Sequence, residues 1–179
     1  PGSWKAFTGT ADNSWAQYKG VRVLIRGDRT QPTALTGSNP TPNAVTLDMT
    51  GTLNTGNVSM AVPTVSAFHL LSNPYASPVD IGTVIDGLTS GVIGTQYWVW
   101  NANAAGINNR GAYVTKVVGT GAYNLAANGA FLVQPVSGTT LSFTEANKQS
   151  TASTALFRTN TMQDLLELNL LYNNGEADN

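Results

Sequence analysis

Cysteine is absent from this sequence, charge is scarce and histidine occurs once. Without thiols the chain has no disulfide, no thiolate nucleophile and no Cys-type zinc or iron–sulfur site. Charged residues make up 11% of the 179 positions, less than half of the usual share of about 25%. The polar surface must come instead from Thr, Ser, Asn and Gln, a composition common on extracellular β-proteins. Nine basic residues against ten acidic ones leave a net charge of −1. Arg22, Arg26, Arg29, Lys116 and Lys148 are scattered along the chain. Nucleic-acid binding needs clustered cations to displace counterions, so no nucleic-acid partner is expected. No apolar run approaches the roughly 20 residues that cross a bilayer, so no membrane span is expected. The opening Pro1-Gly2-Ser3-Trp4 lacks the basic-then-apolar pattern of a secretory leader. That carries no weight for a cytoplasmic address, because mature chains lack a leader too.

What is present is a rhythm of short runs rich in Val, Thr, Ile, Tyr and Phe, punctuated by Gly and Pro. This pattern predicts an all-β fold, a β-sandwich of jelly-roll or related Greek-key type with at most one short helix. Residues 1–179 read as one domain, since a chain of this length suits a single core. Val21, Val23 and Ile25 alternate with Arg22 and Leu24, which predicts a strand over 21–26. Residues 45–53 and 58–62 predict a hairpin around Asn54-Thr55-Gly56-Asn57. Ala67-Phe68-His69-Leu70-Leu71 reads as a short strand ended by Asn73-Pro74. A brief helix is expected within 79–88, starting near Asp80. Tyr97-Trp98-Val99-Trp100 is strongly β-prone, and residues 112–118 are expected to pair back onto it. Residues 129–136 and 139–143 predict a second hairpin around Ser137-Gly138. The run 162–172, with Leu166, Leu168 and Leu170 alternating, is read as a strand, although intrinsic propensity favours helix.

Several segments resemble, in order, those of large surface proteins from Bacteroidota. Gly20-Val21-Arg22-Val23-Leu24-Ile25-Arg26-Gly27-Asp28-Arg29 is similar to a "G-hydrophobic-RGDR" signature. Gly51-Thr52-Leu53-Asn54-Thr55-Gly56 resembles the "G-LNTG" segment that follows it. Asn73-Pro74-Tyr75-Ala76-Ser77-Pro78-Val79-Asp80 resembles an "NPY-x-S-x-hydrophobic-D" run. Tyr97-Trp98-Val99-Trp100-Asn101 resembles "YWVWD", and Leu141-Ser142-Phe143-Thr144-Glu145-Ala146-Asn147-Lys148 resembles "hydrophobic-FTE-x-x-K". Phe68 and Asn101 stand where Trp and Asp are common. The resemblance implies a secreted or cell-surface β-domain, often delivered by type IX secretion, that forms one piece of a longer surface protein. It supplies no catalytic site.

The residues themselves offer little for catalysis. A Ser-His-Asp triad would need His69, which sits in an apolar strand and reads as structural. A glycan hydrolase needs two carboxyls roughly 5–10 Å apart, yet the glutamates are only Glu145, Glu167 and Glu176. Asp28, Asp48, Asp80 and Asp86 are each explained by a turn, a cap or a strand position. No cofactor is expected. Calcium would find oxygens at Asp12-Asn13, at Asp28 and in the 101–109 loop, but Asn and Asp are also ordinary turn residues. Arg26-Gly27-Asp28 reads as strand end plus turn. In a strand, Trp98 and Trp100 share one face. With Asn101, Asn109 and Tyr113 they compose a candidate glycan-binding face, although aromatics serve inter-sheet or inter-domain packing equally well. The expected function is a non-catalytic structural or adhesive module, contacting neighbouring domains or surface partners. A carbohydrate-binding module attached to a secreted enzyme is the alternative, and a glycan hydrolase the second.

Overall fold

The computed structural model describes residues 17–23, 51–62, 67–88, 93–104, 111–154 and 156. The fold is all-β, with antiparallel sheets and, among the described residues, one short α-helix. The elements in order are β1 (Val58–Val62), β2 (His69–Ser72), β3 (Val79–Asp80), α1 (Ile81–Asp86), β4 (Ile93–Asn101), β5 (Ala112–Val117), β6 (Asn124–Leu125), β7 (Ala130–Pro135) and β8 (Thr139–Phe143). A 3-10 turn, Glu145–Asn147, follows β8. Strand order defines a four-stranded sheet, β2-β7-β4-β5, and two two-stranded sheets, β1-β8 and β3-β6. A jelly-roll order is not traced among these described strands. No described helix is long and apolar enough to cross a membrane.

Period-2 alternation builds the core. In β1 the pattern buries Val58, Met60 and Val62 and exposes Ser59 and Ala61. In β7 it buries Phe131, Val133 and Pro135, and in β4 it buries Tyr97 and Val99. Apart from Pro135, these side chains join Leu71, Leu141, Phe143 and the α1 residues Ile81, Val84 and Ile85 in one cluster. The three sheets therefore share one core. The helix is set by Asp80, whose carboxylate accepts from the Thr83 amide at 3.1 Å and from the Thr83 hydroxyl. This is an N-cap at the position expected from sequence. The Tyr123 amide also donates to Asp80, at 2.9 Å, tying α1 to the segment entering β6.

Three strand expectations need correction. The 21–26 strand does not begin at Val21: pairing lies earlier, where Lys19 bridges Leu71 and the Gly20 amide donates to the Leu70 carbonyl at 2.8 Å. Residues 24–26 lie outside the described residues. The connection 54–57 is not a tight turn. Residues 51–57 are exposed and form no strand, because other elements hold them: Asn54 Nδ2 donates to the Pro74 carbonyl and the Gly56 amide to Glu145. β1 pairs with β8, from Val58↔Phe143 to Val62↔Thr139; residues 45–50 lie outside the described residues. Finally, β7 and β8 do not form a hairpin. β7 has β2 on one edge and β4 on the other, so no edge remains for β8. The chain changes sheets across residues 136–138. The 162–172 run also lies outside the described residues.

Candidate functional site

The four-stranded sheet has one face in the core, with Tyr97 and Phe131, and its other face carries Trp98, Trp100 and Tyr113. Register fixes which residues share that outer face, because directly paired residues point the same way. Leu70 opposes Leu132. Leu132 opposes Trp98. Trp98 opposes Thr115, and Trp100 opposes Tyr113. Trp98, Trp100 and Tyr113 are half-buried. Phe68, two residues before Leu70, is 51% exposed and packs edge-on against Trp98 with ring centroids 5.4 Å apart. Trp100 and Tyr113 pack edge-on at 5.1 Å.

The chain's own N-terminal stretch crosses this face. Beside β2, Gly20 lies so close to the outer side chains that a Cβ there would stand 2.7 Å from Leu70 Cγ and 2.9 Å from Ala130 Cβ. Two residues on, the Arg22 guanidinium sits 4.5 Å from the centre of the Trp100 ring, a cation–π contact. Arg22 itself is exposed. Burial raises the Tyr113 phenol above its ordinary value, and Arg22 nearby opposes the rise. Gly111 seats the indole from the other side. Its φ is +86°, and a Cβ there would meet Trp100 Cζ2 at 2.7 Å.

Of the residues expected to form a glycan face, Trp98, Trp100 and Tyr113 are thus brought together. Asn101 is not among them. It ends β4 facing away from Trp100, and its Oδ1 accepts from the Asn103 amide at 2.9 Å, an Asx turn. Asn109 lies outside the described residues, as do Asp12, Asn13 and Asp28. Sequence reasoning missed Phe68 and Arg22 as members. Alternation with Leu70 is a signal for Phe68; nothing local in the sequence places Arg22 on Trp100.

The other candidate residues serve the framework. His69 lies on the core side of β2, opposite Val133 and half-buried. Glu145 is exposed and pairs with Lys148 at 2.6 Å, while its Oε1 accepts from the Gly56 amide at 2.6 Å. The Lys148 contact, with that amide, holds its carboxyl below the usual range, whereas a general acid needs a raised one. Asp86 accepts from the Gly119 and Gly121 amides at 2.6 and 3.0 Å. No group of three His, Cys, Asp or Glu among the described residues is placed to hold a metal ion. Between α1 and β8 lies an open groove of about 350 Å³ lined by Thr83, Leu88, Thr140, Ser142 and Asn147. It is neutral. No family model matches the chain, and no curated protein or solved structure is similar to it.

Proposed function

We propose that this chain is a non-catalytic extracellular module of a bacterial cell-surface protein, structural and adhesive in role, that makes contact through the outer face of its four-stranded sheet. The observation that carries this reading is the half-exposed row of Phe68, Trp98, Trp100 and Tyr113 on a sheet whose opposite face is fixed by the core. Aromatic side chains present large area at low entropic cost and dominate contact energies. The export and cell-surface half of the proposal rests on the ordered resemblance and on the low charge of the chain.

Binding of the labelled domain to intact bacterial cells and to surface-coated matrix tests the reading. A Trp98→Ala/Trp100→Ala variant should bind about tenfold or more weakly and keep a cooperative unfolding transition. Unchanged adhesion in a folded variant would remove the sheet face from the proposal. The same face serves a carbohydrate-binding module equally well, and a glycan array separates the two. Recognition of one defined polysaccharide, with no adhesion to cells lacking it, favours the carbohydrate-binding reading.

A further inference from the structure

We infer that the ligand of the outer face is an anionic pyranose, the uronate residue of an acidic polysaccharide, held by stacking on the Trp98 side of the row with its carboxylate on Arg22. This rests on the reading of that face as the contact surface and gives it a ligand class.

The argument is one of charge and shape. Among the described residues, the charged side chains other than Lys19 and Arg22 make contacts within the framework. Glu145 and Lys148 pair with each other. Asp80 and Asp86 accept backbone amides. Lys116 sits 4.5 Å over the Tyr123 ring. Arg22 is different. It is exposed, it lies on the aromatic face, and no carboxylate among the described residues pairs with it. The contact with Trp100 places the guanidinium on the aromatic face, and a planar fork of that kind matches a carboxylate bidentately. Trp98 is one alternation step away along β4, about 7 Å, the scale of a single sugar ring. A pyranose presents a flat C–H face to such an indole and polar edges to its neighbours, here the Tyr113 and Thr115 hydroxyls. An acidic peptide fits less well. The centre of the face, at Trp98 and Trp100, lies on β4, whose backbone pairs with β5 on one side and β7 on the other, so what it offers a ligand there is ring faces and not a strand edge.

Isothermal titration with oligogalacturonate, its methyl ester, a neutral glucan oligomer and poly-glutamate, at one ionic strength, tests this. The expected result is binding to oligogalacturonate and about tenfold or greater weakening on esterification, which removes the charge but keeps the ring. Arg22→Gln should reproduce that loss. Arg22→Lys, which keeps the charge without the fork, should fall between. Affinity should drop as salt rises. Equal binding of ester and acid would overturn the inference, as would unchanged affinity in Arg22→Gln. So would binding of poly-glutamate as tight as that of the uronate, which would make the occupant an acidic peptide. Adhesion to cells with no uronate binding overturns this inference and leaves the adhesive module standing. Loss of neither on Trp98→Ala/Trp100→Ala sinks both. The comparison of acid with ester uses the unaltered protein, so the inference stays testable whatever the variants do.

Discussion

Asp80 carries more structure than any other single charge among the described residues. Its two carboxylate oxygens accept from the Thr83 amide, the Thr83 hydroxyl and the Tyr123 amide, and the residue is only 7% exposed. Removing them uncaps α1 and leaves the buried Tyr123 amide without a partner. Asp80→Ala should therefore cost about 2 kcal/mol, the sum of a lost cap and an unsatisfied donor. Urea unfolding checks this, and Asp80→Asn, which keeps one acceptor oxygen, should cost less. Gly111 is the corresponding residue at the aromatic face. A side chain there meets a left-handed φ and the Trp100 ring at once. Gly111→Ala should cost about 1–3 kcal/mol and shift the tryptophan emission as the indole moves. A melt and spectrum identical to wild type would mean that Trp100 is not seated by this turn.

Strands report their own faces, and β7 does so most directly. Phe131 and Val133 are fully buried, while Leu132 between them is half-buried on the aromatic face. Phe131→Ala should destabilise by about 3–5 kcal/mol, as large-to-small changes in close-packed cores do. Leu132→Ala should cost markedly less and should shift the tryptophan emission, because Leu132 lies opposite Trp98. Denaturation curves of the two variants, side by side, settle whether the alternation has been placed on the right face. Most individual elements were legible because period 2 and capping are local signals: β2, α1, β4, β5, β7 and β8 fall where Val, Ile, aromatic and Asp residues point. Partners were less legible. The Ser137-Gly138 connection has the composition of a hairpin turn, yet it joins two sheets, because β2 and β4 already occupy both edges of β7. Turn chemistry is written within a few residues, whereas edge occupancy is decided by strands tens of residues away.

At the scale of the whole molecule, the segments that carried the family resemblance converge on the framework. Gly56 bonds to Glu145 and to the Tyr75 hydroxyl. Lys148 pairs with Glu145 and lies 4.5 Å over the Tyr75 ring. Buried Asn73 bonds to the Ser77 and Ala126 carbonyls and accepts from the Tyr75 amide. Those motifs are thus staples between distant stretches, and the aromatic face was legible only where strand alternation displayed it, at Trp98, Trp100 and Tyr113. The staples and the buried phenols set a pH window for stability. Burial pulls the Asp80 carboxyl upward, but the bonds from Thr83, Tyr123 and Gly82 outweigh it, so it titrates below its ordinary 3.8. Glu145 likewise titrates below 4.5, chiefly through Lys148. Both carboxyls bind protons more readily in the unfolded chain, so their stabilisation is complete above that range and is lost as pH falls through their lowered values. The phenols act at the other end. Burial, with smaller contributions from nearby charges, raises Tyr75 and Tyr97 above 10.0, and burial alone raises Tyr123 despite its bond to Thr154. A raised folded value means that the unfolded chain releases the proton first, so the stability present at neutral pH declines as pH climbs past 10.0. Urea midpoints measured across pH should form a plateau with an acid edge below about 4 and an alkaline edge above about 10. Asp80→Asn should flatten the acid edge and leave the alkaline one unchanged. Tyr97→Phe should do the reverse, and an alkaline edge that survives Tyr97→Phe unaltered would place its origin in the remaining tyrosines.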